Sequence, residues 1–438
     1  MNWKGLNSFF IVLVFLFSCS KDKDDTKPRI VVHSPNELQQ VNGIDTLEVT
    51  ATISDDRNIE RVSVSLLDAN GIPVLPITTK TPNTANFDLI TFYIFDNIYL
   101  LSGEYDLSIS ASDGVNTATK YIKIYLNETP KSKQGNFIVS NTGSSSDFYY
   151  LDNSYTASFY QSIYGDYMGA AINSYDQLLT HASSGTVANS TVTGLDIISG
   201  LTTWSNPIIN SPPTPFYTSF LYDNQTIYLG KRNGGVQGYN RNGTPNYNAV
   251  VNTNFYVESA LIHGDKLITE QKETLGNSVK LIPYWMASGV LVGVNAALLP
   301  DEDVVGMFTR TSNEIVVITN DASQNGNLIY YNPITASITT FPIGLGKIDD
   351  CVEIGIGIYL IAHSGNVSTI NVNNNFPFST PTILVSGAGA NNIWYDDFSD
   401  ELFVANGNML TMYTSAGTQI GSYTHNNPIR EVLFWYNK

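Results

Sequence analysis

The chain has 438 residues, 42% hydrophobic and only 14% charged, which suits two or three folded domains with polar, uncharged surfaces and excludes a disordered or fibrous chain. Its net charge of -17 repels phosphate backbones, and no Lys/Arg cluster offsets that, so nucleic acid is excluded as a partner. The 26 Tyr, 20 Phe and 33 Gly favour a mostly β protein, because pleated, half-buried surfaces suit aromatic and β-branched side chains.

Residues 1–18 read as a targeting segment and not as fold. Lys4 gives a positive start, and Phe9 to Phe17 is an apolar run shorter than the roughly 20 residues a spanning helix needs. Leu16-Phe17-Ser18-Cys19 follows, and it resembles the bacterial lipobox. The resemblance implies cleavage before Cys19 and lipidation of that residue. Residues 19–27 form an acidic tether, and its Lys/Asp run, Lys21 to Asp25, resembles the signal that carries Bacteroidetes-type lipoproteins to the outer face of the outer membrane. The expected address is therefore a lipid-anchored, cell-surface position on the outer membrane. Cys351 is then left alone, so no disulfide framework is expected, and it reads as a small buried hydrophobe.

Residues 28–127 have the length of one sandwich domain. Strands are expected over Arg29 to His33, Thr46 to Ile53, Arg61 to Leu67, Glu104 to Ala111 and Thr119 to Leu126, from alternating apolar residues bounded by turn signals. The run from Gly103-Glu104-Tyr105 to Ser112-Asp113-Gly114 resembles the late-strand signature of bacterial immunoglobulin-like and cadherin-like domains, which implies that Tyr105 is a tyrosine-corner residue. Asp55, Asp56 and Asp113 fall in two loops that such a sandwich brings to one end. Three carboxylates there can hold Ca²⁺, the single cofactor considered, although loop Asp residues more often cap turns. Residues 128–135, polar and containing Pro and Gly, read as a linker.

From residue 136 to 438 one unit recurs, clearest in Asn391 to Tyr423, where four short β-branched and aromatic runs are separated by Asp, Ser, Asn and Gly. Its second strand aligns as Phe137-Ile138-Val139, Leu178-Leu179-Thr180, Ile227-Tyr228-Leu229, Lys266-Leu267-Ile268, Ile315-Val316-Val317, Tyr359-Leu360-Ile361 and Leu402-Phe403-Val404. The mean spacing is ~44 residues, inside the range of propeller blades. These stretches resemble divergent YVTN and quinoprotein-like repeats, which implies a β-propeller, here with seven blades. The apolar tail from Ile429 to Tyr436 is expected to complete the first blade and close the ring. The fold class is thus all-β: an immunoglobulin-like β-sandwich followed by a seven-bladed β-propeller.

No Gly-x-Ser-x-Gly elbow, His-Glu-x-x-His, Walker loop or zinc-type spacing occurs. Leu201-Thr202-Thr203-Trp204 is only a fragment of a sialidase-type box. The polar residues that follow the aligned second strands are Asn141, His181, Lys231, Glu270, Asn320, His363 and Asn406. In propellers of the resembled kind these ends lie near the mouth of the central channel. Such residues can bind a polar ligand, hold a metal, or act as acid and base, but strand ends are also polar because they meet water. Tyr217, Tyr256, Trp285 and Trp394 are candidates for stacking on sugar rings. The expectation is a non-enzymatic module that presents a propeller face to an extracellular glycan, protein or peptide. The alternatives are a propeller-type glycoside hydrolase or lyase, and an accessory partner of an outer-membrane uptake complex.

Overall fold

A computed structural model describes residues 25–184, 189–209, 215–293, 296–298, 301–373 and 376–438; Cys19 and the targeting segment lie outside them. Among the described residues the chain is all-β, without a helix. It divides into two units, Met1–Pro130 and Lys131–Lys438.

The first unit is two sheets over one core. A three-stranded sheet runs in the order Arg29–Ser34, Thr46–Ile59, Thr84–Ile94. A five-stranded sheet runs Gln39–Asn42, Thr117–Asn127, Gly103–Ser112, Arg61–Leu67, Thr78–Lys80, with the first pair parallel. The period of two sends Leu47, Val49, Ala51 and Ile53 inward, against Val62, Val64 and Leu66, and Leu107 and Ile109, of the other sheet. Tyr105 lies on the strand Gly103–Ser112 and its Oη donates to the Leu101 carbonyl at 3.0 Å. The strand Thr84–Ile94 has no counterpart in the sequence reading. Leu89 and Tyr93 face the core, but Ile90, Phe92 and Ile94 on its other face are exposed, so apolar residues on both faces hide the alternation. Asp55 and Asp56 were expected in a loop and instead belong to the long strand Thr46–Ile59, where the pairing shifts register.

Among the described residues the second unit comprises seven four-stranded antiparallel sheets. The sequence Ile429–Tyr436, Lys133–Asn141, Ser145–Leu151, Ala157–Tyr164 forms sheet 1, counted from its innermost strand. Sheets 2 to 7 each use four consecutive strands, and their first strands are Tyr167–Asn173, Tyr217–Asp223, Phe255–His263, Asp303–Thr311, Ile348–Gly355 and Asn392–Asp396. Each first strand contacts the first strands of both neighbouring sheets, and the contacts run round from Ile429–Tyr436 back to it. The C-terminal strand therefore closes a ring, pairing Val432 with Ile138 and Leu433 with Phe137. Burying Ile429, Val432 and Leu433 contributes about 1.5–3 kcal/mol each and removes an open edge.

Second strands such as Leu178–Ser183 and Glu314–Asn320 are buried almost throughout, because each is flanked by strands and covered by sheets on both faces. The strand of sheet 1 begins at Lys133, three residues inside the stretch expected as linker. Lys133 is drawn in because its Nζ meets Asp396 at 2.8 Å and Glu401 at 2.6 Å. Cys351 is a free thiol on a first strand, and burial pushes its pKa up.

Candidate functional site

Six of the seven first strands carry a register shift at one place, between Ile429/Glu431, Tyr167/Gly169, Tyr217/Ser219, Val257/Ser259, Val304/Gly306 and Ile348/Asp350. This repeated bulge is an internal ruler for comparing sheets. The residues opposite its outer side are Ser140, Ser183, Lys231, Gln271, Thr319 and His363. Only Lys231 and His363 of the expected ring stand there. Glu270 is one residue short of it, His181 two short, and Asn141 and Asn320 one beyond. A one-residue step turns a side chain to the other face of its sheet. The expected ring thus splits: His181 meets Ser146 of the preceding sheet, whereas Asn141 and Asn320 reach the following one.

The position one beyond the ruler is a set of clips between sheets. Asn141 Nδ2 donates to the Asp166 carboxylate. Ser184 Oγ donates to the Tyr217 carbonyl at 2.9 Å and accepts from its amide at 2.8 Å. The Arg232 guanidinium lies 4.3 Å from the Tyr256 ring centre. Lys272 Nζ donates to Asp303 at 2.8 Å. Asn320 donates to the Ile348 carbonyl and accepts from its amide, both at 2.8 Å. In each case the partner lies within one residue of the start of the next sheet's first strand. Ser184, Arg232 and Lys272 were missed because the alignment followed apolar triplets; only pairing around the bulge reveals them.

The histidines are equally committed. Full burial beside Phe148 and Tyr167 lowers the His181 pKa to about 3, so the ring is neutral at ordinary pH. His363 Nε2 lies 2.8 Å from Ser368 Oγ, and burial lowers its pKa as well. Lys231 reaches Gln237 at 3.3 Å on its own sheet, and burial lowers its pKa. Asn406 is exposed.

Glu270 differs from the rest. Its side chain has no exposure, Ser259 Oγ donates to Oε2 at 2.7 Å, and Oε1 lies 3.5 Å from Lys272 Nζ. Burial outweighs the attraction of Lys272 and raises the Glu270 pKa to about 7. Burial acts to lower the Lys272 pKa, but Glu270 and Asp303 together hold it above the usual lysine value. Lys272 leads outward from this buried carboxyl to a cavity of about 250 Å³ between sheets 4 and 5. Tyr256, Glu273, Asn277, Asp301 and Asp303 are among the residues that line it. Asn277 Nδ2 donates to Asp301 at 3.1 Å, and Thr319 Oγ1 donates to Glu302 at 2.8 Å.

Of the aromatic candidates, Tyr217 is fully buried, Trp394 packs partly buried into the core between sheets 7 and 1, and Trp285 carries Lys266 at 4.6 Å. Tyr256 alone lines this cavity. A larger hollow of about 410 Å³ adjoins Trp204. There the indole is fixed against Gly194 and Gly243, where a Cβ would come within 2.5 Å of its ring, and Nε1 donates to the Arg241 carbonyl.

Among the described residues no group of three or more His, Cys, Asp or Glu is placed to hold a metal ion. The carboxylates expected to bind Ca²⁺ have other partners. Asp113 Oδ1 accepts from the Val115 and Asn116 amides, Asp56 accepts from Thr26, and Asp55 Oδ1 accepts from the Asp56 amide.

No protein-family model matches the chain, and no curated protein does. Solved structures do. A 6-phosphogluconolactonase candidate from Bacteroides fragilis superposes with a TM-score of 0.52 at 9% identity, over 70% of this chain and 98% of that one. BamB from Moraxella catarrhalis gives 0.42 at 15% identity, over 73% and 93%, and the WD40 β-propeller domain of Doa1 gives 0.46 at 10%, over 63% and 90%. At such identities the likeness concerns fold alone. The second unit is a β-propeller. The cavity sits at the seam of sheets 4 and 5, on the face where second strands end and first strands begin.

Proposed function

We propose that this chain is an outer-membrane surface lipoprotein in which lipidated Cys19 and an acidic tether anchor an immunoglobulin-like spacer, and a seven-bladed propeller binds an extracellular glycan, protein or peptide without chemistry. The seven-bladed reading is supported by seven sheets whose first strands touch in one closed cycle. The immunoglobulin-like reading is supported by the strand order of the two facing sheets and by the Tyr105 hydroxyl on the Leu101 carbonyl. The anchor rests on Leu16-Phe17-Ser18-Cys19 and the Lys/Asp run behind it.

The observation that carries the binding reading is how the polar groups of the propeller face are used. Asn141, Ser184 and Asn320 hold one blade to the next and His181 is held neutral, whereas the mixed aromatic and polar cavity at Tyr256 is open. A glycoside hydrolase or lyase is the second reading, favoured by the buried Glu270 behind that cavity. Two measurements test the proposal. Cys19→Ala is expected to abolish surface labelling of intact cells, and unchanged labelling refutes the anchor. The purified chain is expected to be retained on a polysaccharide or protein array without releasing product. Product release that Glu270→Gln abolishes would replace binding with catalysis.

A further inference from the structure

We propose that the cavity between blades 4 and 5 is a binding subsite for one ring of a neutral, hydroxyl-rich polysaccharide, and that it excludes anionic glycans. This rests on the binding reading above and gives it a place and a ligand class. The size comes first. At about 250 Å³ the cavity is smaller than the roughly 300–1,000 Å³ of sites that enclose drug-sized ligands, so it takes one ring and not an extended chain.

The wall selects the chemistry. Four carboxylates, Glu273, Asp301, Glu302 and Asp303, stand there with a single lysine, Lys272. Uronate, sulfate or phosphate groups would meet net negative charge in a partly desolvated hollow. Lys272 holds Asp303 at 2.8 Å and Glu270 at 3.5 Å, so its ammonium is already engaged by the protein and does not offset the remaining carboxylates for an anionic ligand. A hydroxyl suits such a wall, because it donates to a carboxylate and accepts from an amide or ammonium through one atom. Asn277 and Ser278 add donors and acceptors of the same kind. Tyr256 supplies the ring against which the C–H face of a sugar packs. Arg232, stacked 4.3 Å from the Tyr256 ring centre, fixes that ring before the ligand arrives, which lowers the ordering cost of binding. An apolar peptide side chain fits poorly, since Val279 and the Tyr256 ring are the apolar parts of the lining.

The test is affinity electrophoresis of the full chain, with titration calorimetry on whatever it retains. The gels contain neutral β-glucan, xylan or mannan, anionic alginate or polygalacturonate, and cationic chitosan. A neutral polysaccharide is expected to retard the chain. Tyr256→Ala and Asp303→Asn are each expected to weaken that binding about tenfold or more, with the thermal midpoint within a few degrees of the parent. Asn406→Ala, at an exposed strand end of another blade, is expected to bind as the parent does. Should Tyr256→Ala fail to fold, Asp303→Asn decides alone, since Asp303 is exposed and its loss leaves no buried charge. Preference for the anionic or cationic set overturns the inference. Neutral binding that survives both variants also overturns it, by moving the ligand elsewhere on a chain that still binds. If no polysaccharide is retained the inference falls, whereas the broader binding reading falls only when the protein array is empty too.

Discussion

Replacing Glu270 by glutamine removes a buried carboxyl whose ionisation the fold resists. In the folded chain its pKa is raised from 4.5 to about 7 by burial, against the pull of Lys272. Below pH 4.5 the carboxyl is protonated whether the chain is folded or not, and burial costs no charge. Between 4.5 and about 7 the unfolded chain releases the proton and the folded chain keeps it, so stability falls as pH rises; above that window the loss is complete. The full loss is about 3 kcal/mol, with a slope of at most about 1.4 kcal/mol per pH unit. Asp350 and Glu431, whose pKa values burial raises to about 6 and about 8, act in the same sense, so the parent chain is expected to gain stability on mild acidification. The attraction between Lys272 and Glu270 grows only as Glu270 ionises and is already contained in the folded pKa of about 7, so the neutral Gln removes that whole pH-dependent contribution. Urea unfolding at intervals from pH 5 to pH 8 is therefore expected to give a shallower slope for Glu270→Gln than for the parent. Parallel curves would refute the reasoning, because they would mean that Glu270 titrates alike in both states.

Two further predictions concern how the ring is held. Asn320→Ala strips both hydrogen bonds from the buried start of blade 6 and is expected to cost about 2–4 kcal/mol, whereas the exposed Asn406→Ala should stay within about 0.5 kcal/mol; urea midpoints separate the two. Ending the chain before Ile429 removes the innermost strand of blade 1 and bares the edge of Lys133–Asn141, so the shortened chain is expected to aggregate, which size-exclusion chromatography reads directly.

Much of this architecture was legible because repetition amplifies a weak signal. No single four-stranded blade is distinctive, but apolar triplets recurring from Phe137 to Leu402 mark the second strands, each of which is buried from both faces. The closing strand was legible for the same reason: Ile429 to Tyr436 carries the pattern of an inner strand, and it pairs with Lys133–Asn141. Short edge strands such as Gln39–Asn42 and Thr78–Lys80 carry too few residues to show a period. Thr84–Ile94 hid for the opposite reason, since exposed Ile90, Phe92 and Ile94 make it apolar on both faces.

The expected ring and the structure part company at the scale of one residue. An alignment on apolar triplets locates a strand but not its last polar residue, because the bulge in the facing strand fixes which residue ends up opposite which, and a bulge leaves no mark in the sequence. Met168, Thr218, Glu258, Val305, Asp349 and Arg430 occupy equivalent bulge positions and share no chemistry. An error of one residue exchanges a side chain facing the preceding blade for one facing the next. His181 and His363 looked equivalent and differ by two positions, whereas Lys272, outside the aligned ring, shares the position of Asn141 and Asn320. The clip position also explains why a cavity opens between blades 4 and 5. There the clip is a long lysine reaching a carboxylate at the protein surface, where the other described clips are a short Ser or Asn, on backbone or on the Asp166 carboxylate, or a stacked Arg. A seam spanned by Lys272 can remain open at its mouth while still held, so the residue that joins the two blades also forms part of the pocket wall.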